Sequence, residues 1–345
     1  MLTRKAATSR LSPEVLSLMS RNSFRPALLV LVVMALSCQP DMLPQDQQTE
    51  VAVKVRPQTG DHKRRQPDTY EAPAIAGWLE DSAISESSGI VASRRTAGLL
   101  WTHNDSGDGP FLYASDERGK QMGVWRVAGA KAVDWEDIAV GPGPQPGRSY
   151  LYIGDIGDNK EARREIIIYR LPEPEVTPAA ANSTAKNALV TEPAEGLRLQ
   201  YPDWGHDAEA LLVQPVTGDI YVITKTLDAM PNVYKLTAPY STSGVNRLRL
   251  LGTIPNLPTG LITGGDIAPD GNSVVLCDYF GAYELRLPGG VSAFDEVWRQ
   301  SINNIDLGQR KQGESICYAA DGNAVYATSE KRPTPLIKVK RTKAS

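Results

Sequence analysis

Five acids recur in similar settings along the chain: Glu86 (ESSGIVASR), Glu136 (EDIAVGP), Glu209 (EALLVQPVTG), Asp266 (DIAPDG) and Glu314 (ESICYAADG). They are 50, 73, 57 and 48 residues apart. Each opens a short apolar run, followed by a turn and a second apolar run. The second runs end in polar residues: Asn104-Asp105, Asp155, Thr224-Lys225, Asp278 and Ser329-Glu330. If the first runs line one channel, the five carboxylates converge at one end of one axis. Carboxylates so close repel one another in a partly desolvated site, and must take up protons, pair with cations or bind a metal. Oxygen-rich surroundings with few histidines favour a hard cation. Ca²⁺ is expected over Mg²⁺, because a flexible ring suits roughly six to eight oxygen contacts. Five acids exceed the need of one ion, so only some of Glu86, Glu136, Glu209, Asp266 and Glu314 are expected to ligate it directly. The competing reading is structural: each acid caps the inner ends of neighbouring strands and no metal binds.

Around this ring lie further polar groups. HNDSGDG (103–109) and GDIGDN (154–159) carry Asn104, Asp105, Asp155, Asp158 and Asn159 in glycine-rich loops. They resemble calcium loops in composition but not in full EF-hand spacing. Trp135 stands beside Glu136, and Trp204 stands near His206, Asp207 and Glu209. Such tryptophans suit stacking on a sugar or base at a channel mouth, although propeller tryptophans more often belong to the core. Lys225, Asp278 and Glu330, at second-run ends, complete the candidate ligand-binding set. For catalysis the candidates are His206, with His103 as a further base, and Asp105; Lys225 could stabilise negative charge. No nucleophile elbow, histidine-based zinc signature or Walker loop occurs in the sequence.

The elements that must position these groups are short strands. LLWTH, SYLYIGD, REIIIYRL, DIYVITK, NVYKL, LRLLGTI, SVVLCDY, YELRL, AVYAT and LIKVK all read as strands between turn residues. AFDEVWRQ (293–300) is the one helical candidate. A period near 50 with several strands per unit predicts an all-β fold, a β-propeller with four-stranded blades. Residues 76–340 would give 53 residues per blade for five blades or about 44 for six. Five acid-led units favour the five-bladed form, six remaining the alternative. Residues 172–189 (PEPEVTPAAANSTAKNAL) read as an insertion, and residues near Trp78-Leu79 are expected to supply the missing outer strand of the last blade.

Before the propeller, residues 1–38 read as a lipoprotein-type signal peptide. The apolar run Leu28–Leu36 is flanked by Arg21 and Arg25 and ends at Ala35-Leu36-Ser37-Cys38, with Cys38 the lipidated residue. Met19 would give a more typical start than Met1. Gln39 in place of Asp points to the outer membrane in a Gram-negative host. Residues 39–75 are polar and aperiodic, a tether whose Lys63-Arg64-Arg65 reads as a solvated charge run. The expected location is therefore the cell envelope, on the outer membrane or its periplasmic or extracellular side. The expected partners are the membrane, through the lipid, and a small-molecule, glycan or envelope-protein ligand, with the chain a monomer.

The net charge of −3 lacks the electrostatic footprint of a nucleic-acid binder. Three cysteines cannot make a disulfide scaffold; Cys277 and Cys317 read as small buried residues, with a bridge between them open in an oxidising compartment.

SSGI (87–90), LYASDERG (112–119), IYRLPEPE (168–175), DAEALLVQP (207–215), GGDIAPDG (264–271) and GESICYAADG (313–322) together resemble a group of secreted bacterial propellers. In layout the chain is similar to the SdiA-regulated-like propellers, which are five-bladed and exported. More loosely it resembles the five-bladed calcium-dependent apyrases, the six-bladed phytase-like esterases and the gluconolactonase-type proteins. Apyrases have serine at several ring positions, where this chain has four Glu and one Asp. The resemblance implies a propeller that binds at the envelope, or alternatively a metal-dependent hydrolase of ester, lactone or phosphate bonds.

Overall fold

The strands of this chain are apolar at consecutive positions because most are buried on both faces, as in stacked sheets. In Tyr150–Ile153, for example, Tyr150 and Tyr152 join one core cluster while Leu151 and Ile153 join another. Ile220 and Val222 likewise face one way, and Tyr221 and Ile223 the other. The five larger core clusters each lie between two neighbouring sheets, which is the packing of propeller blades.

In the computed structural model, which describes residues 69–342, five small antiparallel-based sheets form a five-bladed β-propeller. These residues all fall within one unit of the chain, Lys63–Ser345. The innermost strands are Ser87–Ala92, Trp135–Pro142, Ala208–Val213, Ile262–Ile267 and Gly313–Tyr318. The second strands are Leu99–Asn104, Ser149–Asp155, Ile220–Thr224, Ser273–Asp278 and Ala324–Ser329. We number the blades 1 to 5 in this order.

The last blade closes as expected. Ala74–Trp78 pairs antiparallel with Pro335–Thr342, setting Ile75 opposite Ile337 and Trp78 opposite Pro335. Sheet structure starts earlier than residue 76, because Thr69–Tyr70 also pairs with that strand. The tether drawn over 39–75 therefore ends in strand, where its last residues find free edge groups to bond. The insertion at 172–189 forms two 3₁₀ turns, Pro178–Asn182 and Ala185–Asn187. Leu189–Val190 then lies parallel on the outer strand of blade 1. The helical candidate is a 3₁₀ helix, Phe294–Arg299, packed through Val297 and Trp298. Cys277 and Cys317 are buried and unbridged. Residues 1–68, with the signal run, Cys38 and most of the tether, lie outside the described residues. Among the described residues no helix is long and apolar enough to cross a membrane.

Candidate functional site

Every inner strand carries an irregularity at its start, where an extra residue breaks the register with the second strand. The breaks fall between Ser87 and Gly89, Trp135 and Asp137, Ala208 and Ala210, Ile262 and Gly264, and Gly313 and Ile316. The residues preceding them pair with Asn104, Asp155, Thr224, Asp278 and Ser329, the same second-strand ends marked in the sequence. A bulge redirects its side chain and interrupts the ladder. Structurally equivalent positions are therefore Ser88, Glu136, Glu209, Thr263 and Glu314.

Three of the five predicted ring acids occupy that position. Glu86 does not: it lies two residues earlier and is exposed. Asp266 does not either, lying three residues further down its strand. Its carboxylate accepts N–H bonds from Ile267 and from Tyr318 of the next blade, both within 2.9 Å. Asp137 does similar work one residue after Glu136, accepting from Ile138, Leu211 and Gly265 at 2.8, 2.9 and 3.2 Å. It thereby joins the inner strands of blades 2, 3 and 4. Asp266 thus stitches the inner strand of blade 4 to that of blade 5. Burial lifts it to about 6, with Arg94 and the Tyr318 N–H pulling it back.

The mouth acids are differently placed. One carboxylate oxygen each from Asp105, Asp134 and Glu136 lies within 4.8 Å of the others. Asp105 follows the second strand of blade 1, while Asp134 and Glu136 flank Trp135 in blade 2. Burial pushes Glu136 well above the usual carboxylate range, and Glu209, Asp105 and Asp134 push it further. Burial and then Asp105 raise Asp134. Burial lifts Glu314 to about 7. Burial also lifts Glu209 to about 8, against the pull of Lys225. Lys225 forms an ion pair with Glu209 and lies 5.3 Å over the Tyr279 ring. Burial disfavours its charge, yet the Glu209 carboxylate more than offsets this and holds Lys225 above its usual value. A lysine thus already offsets part of the ring's negative charge, at Glu209.

Gly157 makes room for the triad. A Cβ there would come within 2.1 Å of Glu136 Oε1 and 2.6 Å of Asp134 Oδ2, so any side chain at 157 would push both carboxylates aside. An all-oxygen donor set with backbone drawn this close fits a hard divalent cation.

The remaining candidates divide between structure and surface. Asn104 accepts from the Ser85 and Glu86 N–H groups and donates to Ala83 O and Asp108, which fixes the loop before blade 1. Asp155 is fully buried, accepts from Val133 and Asp134 N–H, and pairs with Arg163 at 2.8 Å. The Asp158 N–H donates to Asp207 Oδ1, tying two loops at the mouth. Asn159 is exposed on the turn that follows. Asp278 is spent on the Phe280 and Gly281 N–H groups and the Thr259 and Tyr283 hydroxyls. Trp135 is core, donating to Lys131 O and meeting His103 edge-on. Trp204 is 67% exposed and leans on His206. Glu330 borders the mouth, raised by burial and by Asp105 and Glu86.

Neither histidine reaches the acid triad by a hydrogen bond. His206 Nε2 is shared by Asp203 and the Tyr234 hydroxyl, at 3.1 and 2.7 Å. His103 is fully buried with Nδ1 at Asn104 O, and burial lowers its pKa, keeping it neutral. The residues that sequence reasoning missed are Asp134, Asp207, Gly157 and the two hydroxyl residues Ser88 and Thr263.

No protein-family model matches the chain, and no curated protein does. Among solved structures it is similar to the hydrazine synthase of Kuenenia stuttgartiensis at 12% identity and a TM-score of 0.40, over 75% of this chain and 72% of that one. It is also similar to the RRP9 WD40 repeats at 11% identity and 0.40, over 79% and 100%. A gluconolactonase of Xanthomonas campestris, XC5397, gives 10% identity and 0.37, over 81% and 99%. The five-bladed assignment rests on this chain's own strand pairing rather than on these distant likenesses.

Proposed function

We propose that this chain is an exported, lipid-anchored propeller of the cell envelope that binds its ligand through a divalent cation, Ca²⁺, at the channel mouth. The observation that carries the proposal is the triad of Asp105, Asp134 and Glu136, with three carboxylate oxygens within 4.8 Å of one another. Glu209 and Glu314 stand at positions equivalent to Glu136 and supply further oxygens. The chemistry such an ion supplies when bound is polarisation of an oxygen on the ligand. Lys225 and Glu209 would then orient the anionic or hydroxylated part of that ligand, be it a small molecule, a glycan or the surface of an envelope protein. Cys38, acylated, would hold the propeller at the membrane.

The test is a thermal melt of EDTA-treated protein with CaCl₂ or MgCl₂ added back. At a hundred times its dissociation constant a bound ion adds about 2.7 kcal/mol to stability. A melting temperature indifferent to both ions would remove the cation from the proposal. The anchor is tested separately, since Cys38→Ser should move the protein from the membrane to the soluble fraction of a bacterial host.

A second reading, cation-dependent hydrolysis, draws on the register. Ser88 and Thr263 share the bulge position with Glu136, Glu209 and Glu314, so the ring mixes hydroxyls and acids. That mixture is nearer to the serine-containing ring of the apyrases than the sequence suggested. Burial raises the Glu209 carboxyl against the pull of Lys225, the direction that suits a proton-transfer group. Phosphate release from a nucleoside diphosphate, or turnover of an ester or lactone, abolished by EDTA and by Glu209→Gln in a folded protein, would establish it. Calcium-stabilised protein without turnover on that panel leaves the binding module.

A further inference from the structure

A cavity of about 370 Å³ opens where Ala74–Trp78 closes blade 5, beside the connection 307–311 that arrives from blade 4. This is within the usual range of small-ligand sites. Its walls are apolar: Ile75, Trp78, Pro333, Pro335 and Ile337. Ile75 and Trp78 remain 58% and 46% exposed, although both are paired with the strand Pro335–Thr342.

The charged groups of the lining are unbalanced. Arg310, Lys311 and Lys331 face a single carboxylate, Glu330, for a net charge of +2. Arg310 spends its guanidinium on the carbonyls of Asp278, Gly281 and Thr328, and Lys311 donates to Arg332 O. Carbonyls satisfy the donors but leave the charges in place. Among the described residues none of these three cations lies within ion-pair distance of a carboxylate.

An inorganic anion would answer the charge and leave the apolar wall wet. A neutral apolar molecule would fill the wall and strip water from the cations without replacing it. We propose that the seam pocket binds a small organic anion, its apolar body against Trp78 and Ile75 and its carboxylate toward Lys311, Lys331 and Arg310. The pocket is inferred from its own walls and charges and not from the cation triad, although Glu330 borders both. Its walls come from the closing strand, from the rest of blade 5 and from the connection 307–311 that enters that blade, so an occupant would also brace the closing strand.

The probe is 1-naphthoate, titrated into the full chain in EDTA by calorimetry, with 1-naphthylmethylammonium as the charge-reversed control. One site is expected, at least about tenfold tighter for the anion than for the cation. Lys311 and Lys331 are exposed, so Lys311→Glu with Lys331→Glu should weaken naphthoate about tenfold at an unchanged melting temperature. Trp78→Ala should weaken it as well. No heat with naphthoate, equal binding of the two charge types, or binding untouched by the lysine double variant would each overturn the proposal.

Discussion

Glu136 and Asp137 are adjacent on one strand, buried at the same end of blade 2, and put to opposite use. Asp137 sits in a cage of three backbone N–H donors reaching it from three blades. Glu136 sits at the bulge among other carboxylates, facing Asp105, Asp134 and the gap beside Gly157. Burial raises both carboxyls, so burial alone does not distinguish them. What differs is the partner: peptide dipoles for Asp137 and Asp266, and the carboxylates of Glu209, Asp105 and Asp134 for Glu136. A buried acid with its donors satisfied holds the fold; one crowded by its own kind invites a cation.

Removing the cage should have the largest effect. Asp137→Ala leaves three buried N–H groups without an acceptor and is expected to cost about 3–5 kcal/mol in urea unfolding. Equal stability of that variant and the parent would erase the distinction between the two regions. Next comes the cation response. Glu136→Gln should fold normally yet lose most of the roughly 2.7 kcal/mol that saturating Ca²⁺ confers, read as a melting temperature that no longer moves on add-back. Gly157→Ala should do the same by displacing Glu136 and Asp134, with little change in the metal-free protein. Asp266→Ala, which orphans two N–H groups, should cost about 2 kcal/mol.

A pH series sharpens the contrast further. The folded-state values of Asp266 and Glu314, about 6 and about 7, lie above those of the unfolded chain. Protons therefore favour the folded state, and stability is lost as pH rises from about 4 through 7 in EDTA. Ca²⁺ should flatten the Glu314 part of that slope and leave the Asp266 part, as calorimetric melts at several pH values would show. The smallest effect is expected from Glu86→Gln, within about 0.5 kcal/mol and with the calcium response intact.

Why the sequence shows so much of the fold and less of the site follows from the same strands. Burial between two blades leaves consecutive apolar residues, as in SYLYIGD and DIYVITK, and these runs mark strands and repeats without ambiguity. The ring was harder to read, since carboxylates were sought and a hydroxyl can hold the same place. Aligning by acid slid blade 1 by two residues, from Ser88 to Glu86, and blade 4 by three, from Thr263 to Asp266. The signal that fixes the register was nonetheless present at the second-strand ends. Glu209, Thr263 and Glu314 each precede theirs, Thr224, Asp278 and Ser329, by the same 15 residues. The close approach of Gly157 to Glu136 left no comparable trace, because it joins two loops through space.

The closing strand has a consequence for how the domain is made. Ala74–Trp78 leaves the ribosome before any of the five innermost strands, yet its partner, Pro335–Thr342, is the final strand to be synthesised. The earliest segment must wait, unpaired, for the latest, and that most distant contact is the slowest to form. A chain stopped short of residue 335 would therefore lose the strand that joins Ala324–Ser329 to Ala74–Trp78, leaving the last blade half built and the first-made segment without its partner.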